Sequence, residues 1–284
     1  MKRLASIIFI LLYAIPAFSQ TMEWHIKDNY TDIVYMGNDL FKVKNSYGKW
    51  GVINEYGELT VDVQYDSITH FVENRALLLD ITGQFLKGII NERGQIIKTF
   101  SRNEIVSGYH NYSEGMLAYG VDNGVDDYYL FGYLDINGNT RIEPKYYGAA
   151  PLKNGKAVVQ YRSQIFGMID NSGRPSVNDN RKIKFMSTPV NNLLLIAFGS
   201  SRGDKVTLVQ LEPDGKLFEK EVLETGTRVS VSSDYMSISC LNGTSYYFDE
   251  AMRLINSSTG KLFNEPLVID TELPDSPYFK KMRN

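Results

Sequence analysis

Between Val121 and Tyr129 the chain brings Asp122, Asp126 and Asp127 close to Asn123, Gly124, Tyr128 and Tyr129. Carboxylate and amide oxygens gathered over so short a stretch are the donors a hard cation such as Ca²⁺ takes. The spacing matches no complete calcium loop, and an acidic, solvated hairpin tip accounts for the same residues at least as well. Asp135-Ile136-Asn137-Gly138-Asn139 also resembles a fragment of such a loop, but its counterparts elsewhere carry other side chains, which reads as a turn. The pairs Tyr128-Tyr129, Tyr146-Tyr147 and Tyr246-Tyr247 offer stacking surface to a glycan or a peptide. Strand neighbours point to opposite faces, so one tyrosine of each pair is expected in the core and the other outside.

The rest of the reactive inventory is sparse. His25, His70 and His110 are scattered, and Cys240 is the only cysteine, which excludes an intrachain disulfide and leaves histidine no thiolate partner for zinc. No nucleophile elbow, phosphate loop or dinucleotide fingerprint is present. Arg202-Gly203-Asp204 spells a tripeptide used by some adhesive ligands, although a polar hairpin turn is the simpler reading. A carboxylate pair of the glycosidase kind has no support without geometry. The chain is read as a non-enzyme with no cofactor and no assigned metal.

Lys2 and Arg3, the apolar run Leu4 to Ile15, and Ala17-Phe18-Ser19 make a cleavable secretory leader over residues 1–19. The run is too short to span a bilayer, which takes roughly 20 residues, and no second such run follows. The formal net charge is −3, and loss of Lys2 and Arg3 makes the mature chain more acidic still, which argues against a nucleic-acid partner. The expected location is periplasmic or cell-surface.

What must position the candidate residues is a set of short strands. Leu40–Lys44, Lys49–Asn54, Ala157–Tyr161, Val206–Leu211, Val229–Ser232 and Ser245–Asp249 alternate in polarity and are bounded by Gly, Asn, Asp or Ser. Four times the chain repeats one phrase: Gly, two residues of which the second is aliphatic, Asn or Asp, two free positions, then Gly. It runs Gly51 to Gly57, Gly88 to Gly94, Gly132 to Gly138 and Gly167 to Gly173, with first glycines 37, 44 and 35 residues apart. That is the period of one supersecondary unit, and the widest interval contains the 121–129 insertion. Asx at the first and Gly at the fourth turn position predict a type I turn followed by a bulge. The first Gly of each phrase marks close approach of another backbone or ring. A return strand follows, reaching Tyr65 and Tyr146 in the first and third units; Phe71–Leu77, Tyr112–Ala118 and Leu152–Val158 then close the units.

With Lys49-Trp50-Gly51-Val52-Ile53-Asn54 and Gly57, Ile142 to Tyr146, and Tyr112 to Ala118, the chain resembles the bacterial WG (KWG) repeat proteins. Trp50 alone has the namesake position; Lys87, Phe131 and Phe166 stand there in the other units. Val209–Gly215 and Tyr246–Asp249 continue the beat as two degenerate units, making about six. The resemblance implies stacked β-hairpin units and an interaction or scaffold role.

The resulting expectation is an all-β chain of tandem β-hairpin repeats over residues 20–271, forming a propeller-like ring or an open β-spiral, with a flexible tail over 272–284. Its partner would be an envelope protein or, alternatively, a glycan held by exposed tyrosines; a hydrolase is a third reading. The contact is expected at Asp122, Asp126, Asp127, Tyr128 and Tyr129.

Overall fold

The structure, a computed structural model, describes residues 29–257 apart from 102–103, 107–110, 125–127, 163–164, 234 and 250–251. The leader, the C-terminal tail, His25, His110, Asp126 and Asp127 lie outside the described residues. Among the described residues every regular element is a β-strand, and the strands form six consecutive antiparallel meanders. The chain divides into two compact units, Met1–Asn103 and Glu104–Asn284.

The first unit holds two sheets. One comprises β1 (Asp32–Gly37), β2 (Leu40–Lys44), β3 (Trp50–Asn54) and β4 (Leu59–Tyr65). The other comprises β5 (Ser67–Ile68), β6 (Arg75–Leu79), β7 (Leu86–Asn91) and β8 (Ile96–Thr99). They share a core of Met36, Leu40, Val52, Val61, Ile68, Ala76, Leu78 and Ile90, with Trp50, Tyr65 and Phe71 packed on it.

The second unit holds four. The third sheet is β9 (Glu104–Val106), β10 (Met116–Asp122), β11 (Tyr129–Asp135) and β12 (Thr140–Tyr146). The fourth is β13 (Gly148–Ala149), β14 (Lys156–Arg162) and β15 (Ile165–Asp170). The fifth is β16 (Ile183–Met186), β17 (Leu193–Phe198), β18 (Asp204–Leu211) and β19 (Leu217–Thr227). The sixth is β20 (Val229–Val231), β21 (Ser237–Cys240), β22 (Ser245–Phe248) and β23 (Leu254–Ser257). One core lies between the third and fourth sheets and another joins the fourth, fifth and sixth. The fourth sheet has only a stub of an outer strand. Pro175 makes a single bridge to Ile169 and cannot donate to the ladder, and Ser176 N–H reaches Met168 O at 2.8 Å before the chain leaves.

The six phrase positions, four firm and two degenerate, coincide with the six sheets. Each forms the turn after the third strand. Its first and fourth residues are joined by a backbone hydrogen bond of 2.8–3.0 Å at Asn54–Gly57, Asn91–Gly94, Asp135–Gly138, Asp170–Gly173, Glu212–Gly215 and Asp249–Met252. In the four firm units the leading Asn or Asp also accepts two further backbone N–H groups on its side-chain oxygen, as Asp135 does from Asn137 and Asn139 at 2.8 and 2.9 Å. The fourth residue has positive φ throughout, including Met252 at 60° in place of Gly.

The phase differs from the sequence expectation. Phe71–Leu77, Tyr112–Ala118 and Leu152–Val158 do not close a sheet; each opens the next one, around a two-residue turn whose central residues both have positive φ. These turns are Glu73-Asn74, Glu114-Gly115 and Asn154-Gly155, matched by Asn38-Asp39 and Asn191-Asn192 in the first and fifth sheets. Mirror-image turns of this kind suit the twist of paired strands.

Candidate functional site

An up-and-down meander puts its first and third turns at one end and its second turn at the other. The first and third turns carry the repeat chemistry just described. The second turns differ in length and sequence; four of them expose a large apolar side chain, while that of the fifth sheet, Ser200-Ser201-Arg202-Gly203, is polar. Tyr47 is 87% exposed, Ile81 84%, Tyr128 62% and Leu241 79%, one in each of the first, second, third and sixth sheets. These side chains are held out by the backbone. Asn45 Oδ1 accepts from Tyr47 N at 3.0 Å and Lys49 N at 2.9 Å, and Asp80 Oδ1 accepts from Phe85 N at 3.0 Å. Gly83 and Gly243 close their turns by donating to Asp80 O and Cys240 O at 2.9 and 3.0 Å. At the opposite end the third-turn tips of the first five sheets are polar or proline, apart from exposed Tyr56 and half-buried Ile136.

The 121–129 insertion is the second turn of the third sheet. Asp122 Oδ1 accepts from Gly124 N at 2.8 Å, so one of its oxygens is occupied by the turn itself. Tyr128 meets Tyr147, which is also exposed, with ring centres 6.1 Å apart and planes tilted by 58°. Tyr129 is half-buried. Tyr146 and Tyr246 are buried while Tyr147 and Tyr247 are exposed. Among the described residues no three His, Cys, Asp or Glu side chains cluster as metal ligands.

The phrase residues serve the frame. An ideal Cβ on Gly51 would lie 2.7 Å from Val61 O, one on Gly88 2.9 Å from Lys98 O, and one on Gly132 2.3 Å from Ile142 O. At Gly167 the obstacle is the Tyr161 ring at 2.6 Å. Gly57, Gly94 and Gly173 take φ of 80°, 74° and 80°, and Gly138 74°. Trp50 is half-buried at the edge of the first core.

Two further features lie outside the sequence reading. Both carboxylate oxygens of Glu114, in the first turn of the third sheet, accept from the corresponding turn of the fourth: Asn154 N at 2.5 Å and Gly155 N at 2.6 Å. Ser113 Oγ donates to Leu152 O at 2.6 Å and Tyr133 Oη to Ala150 O at 2.7 Å, so the two sheets are also tied by hydrogen bonds. The Arg-Gly-Asp triplet is not displayed. Asp204 is buried, bonded to Lys184 Nζ and to Val229 N, each at 2.8 Å. Cys240 is buried too, and burial, with Glu224 and Asp204 adding to it, pushes its thiol up to about 11.

The model of the WG containing repeat matches residues 50–78 and 131–163. The chain carries WG repeats in these two stretches. Each matched stretch starts in the third strand of one sheet and ends at or just after the second strand of the next, at residues 78 and 163. No curated protein matches the chain by sequence. Solved structures similar in fold include the computationally designed Ika8 protein, 12% identical over 82% of this chain and 87% of that one, with a TM-score of 0.30. BamB from Moraxella catarrhalis is 10% identical over 78% and 70%, TM-score 0.35. A puromycin hydrolase is 12% identical over 77% of this chain but 42% of its own, TM-score 0.34. Scores this low transfer neither architecture nor activity. No helix among the described residues is long and apolar enough to cross a membrane.

Proposed function

We propose that this WG-repeat protein is a secreted, non-catalytic interaction module of the bacterial envelope, which grips a protein partner with its second-turn tips. The observation that carries the reading is the segregation within the first, second, third and sixth sheets: repeated turn chemistry at one end, exposed Tyr47, Ile81, Tyr128 and Leu241 at the other. Apolar side chains exposed this far, on turns braced by their own hydrogen bonds, supply contact area at little further cost in conformational entropy. They are also the kind of residue that partner contact desolvates.

The test is a cross-linked pull-down from native envelope with the mature chain and two variants, Tyr47→Ser/Ile81→Ser and Tyr128→Ser/Leu241→Ser. A partner held by the parent and lost from a variant of unchanged melting temperature supports the proposal. A parent that captures nothing above background, or variants that both retain the partner, refute it. A glycan-binding reading draws on the exposed Tyr128–Tyr147 pair, but its 58° tilt offers an edge rather than a flat platform. Recovery of cell-wall fragments instead of protein would favour it.

A further inference from the structure

Lys42 and Lys44 stand two apart on β2 and share one face of the first sheet. Trp50 on β3 lies directly opposite Lys44. Both ammonium groups sit over the Trp50 ring, each 5.2 Å from its centre. The ring attracts each cation through its quadrupole, an effect of about 0.5–2 kcal/mol, but it neutralises neither. Among the described residues no carboxylate comes within ion-pairing distance of either group. Asp32, across from Lys44, acts on Lys42 only at longer range. The neighbouring Asp66 is engaged by Lys49.

Lys42 is half-buried and donates one hydrogen bond, to Ile68 O at 3.3 Å, which leaves it further N–H groups to give. Burial lowers its amine from the ordinary lysine value, against the field of Asp32. His70 is likewise lowered, first by burial and then by Lys42. In a chain of formal net charge −3, this is a local excess of positive charge, two ammonium groups against the single carboxylate of Asp32.

We propose that Lys42 and Lys44, over Trp50, form a carboxylate-binding site that receives an aspartate or glutamate side chain of the protein partner. The proposal rests on the reading of the second-turn end as a protein-binding surface, and it adds that the segment bound there is acidic. An acidic sugar suits the site less well. The Trp50 ring is packed on the core beneath two ammonium groups, so it has no free face on which a sugar ring could stack. Charge is what the site can recognise, and two ammonium groups above one ring favour a single carboxylate between them. Tyr47, at the tip of the turn joining β2 to β3, stands beside it as the apolar contact.

Trp50 reports on its own site. In the mature chain carrying Trp24→Phe it is the sole indole, and its emission can be followed against acetyl-triglutamate amide and against digalacturonate at constant ionic strength. The expected result is a saturable change with triglutamate that weakens with added salt. Half-saturation should rise about tenfold in Lys42→Gln and in Lys44→Gln, as for loss of a charged hydrogen bond. The Lys44 ammonium, unlike that of Lys42, holds no backbone oxygen among the described residues, so Lys44→Gln decides the matter if Lys42→Gln fails to fold. No saturation by triglutamate, or saturation unaffected by either substitution, overturns the site. Saturation by digalacturonate at equal or lower concentration overturns the assignment to a peptide. The tip-variant pull-down is independent of this titration, so a failed partner reading and a failed carboxylate site give different results.

Discussion

The glycines of the repeat phrase do two different jobs, and the first hairpin separates them. Gly51 and Gly57 belong to one phrase and flank one turn. At Gly57 φ is +80° and nothing lies within 4 Å of an added Cβ, so Gly57→Ala costs only the left-handed conformation, about 1–2 kcal/mol. Gly51 has ordinary φ but no room. Its Cβ would sit 2.7 Å from Val61 O, 2.7 Å from Val63 Cγ2 and 2.8 Å from Val63 Cα. Close carbon–oxygen contacts in sheets are about 3.3–3.6 Å, so β4 would have to retreat by at least about half an ångström. Two of the three obstacles are backbone atoms, which no rotamer change removes. Overpacking of this kind costs about 1–3 kcal/mol, and a ladder hydrogen bond lost in the retreat about 1 more. Gly51→Ala should therefore lose about 2–4 kcal/mol, and Gly51→Val more.

The assay is urea unfolding followed by Trp50 emission in the Trp24→Phe background, since Trp50 reports on the first unit and the two units need not unfold together. Gly51→Ala is expected to lower the midpoint clearly more than Gly57→Ala. Equal shifts for the two, or a Gly51→Val midpoint close to the parent's, would refute the close-approach argument.

Four other outcomes follow from the same geometry. Met252 holds φ of 60° where other units use Gly, yet its side chain is 4% exposed in the second unit's core. Met252→Gly relieves about 1 kcal/mol of backbone strain but forfeits about 2–5 kcal/mol of packing, so a thermal melt should show net destabilisation. Glu114→Gln exchanges one acceptor facing Asn154 N and Gly155 N for a donor, and should cost about 1–3 kcal/mol in the same melt. Asp170 is held below its ordinary 3.8, foremost by the Ser172 hydroxyl and, against some burial, by the backbone N–H groups of Arg174 and Ser172. A depressed folded value means stabilisation present above pH 3.8 and lost as pH falls through the folded value, so Asp170→Asn should flatten that acid limb of the stability curve. Cys240, with its thiol pushed up to about 11, should resist iodoacetamide at pH 8 in the folded chain and react in denaturant.

The repeat phrase was legible because its turn demands particular residues. An Asx side chain that can accept two N–H groups and a Gly that tolerates positive φ leave a mark at fixed spacing. The sixth unit shows how that mark can vanish while the geometry stays, since Asp249 alone keeps the turn and Met252 takes the strained place. The sheet phase was not legible. The opening strands β5, β9 and β13 have two or three residues each, too few for any periodicity. The mirror-image turns before the second strands use Glu-Asn, Glu-Gly and Asn-Gly, which share no single letter pattern. Of the candidate contact residues, Tyr128 and Tyr129 flank the second turn of the third sheet with Asp122. Tyr47, Ile81 and Leu241 were missed because one apolar residue in a polar turn is unremarkable until the meander puts such turns at corresponding ends. The available signal was their position, since each lies in a Gly-closed turn just before a third strand.

The offset between repeat and sheet bears on why stability and recognition can be separated in this chain. The matched stretch 131–163 supplies the last two strands of the third sheet and the first two of the fourth. A repeat so phased cannot complete a sheet alone, and adjoining sheets are joined through it. Tyr133 Oη on Ala150 O and the Glu114 carboxylate on Asn154 and Gly155 N–H are such joints, and they sit on the strands and turns that the repeat chemistry dictates. The second turns join the second strand of a sheet to its third, and among the described residues the tip side chains of Tyr47, Ile81 and Leu241 make none of these ties. The turns can therefore take Tyr47, Ile81 or Leu241 at the tip without altering a joint between sheets. Substitutions at the tips should accordingly move binding with little effect on melting. Substitutions at Gly51, Gly132 or Glu114 should do the reverse, and a tip variant that unfolded as readily as a Gly51 variant would break that division.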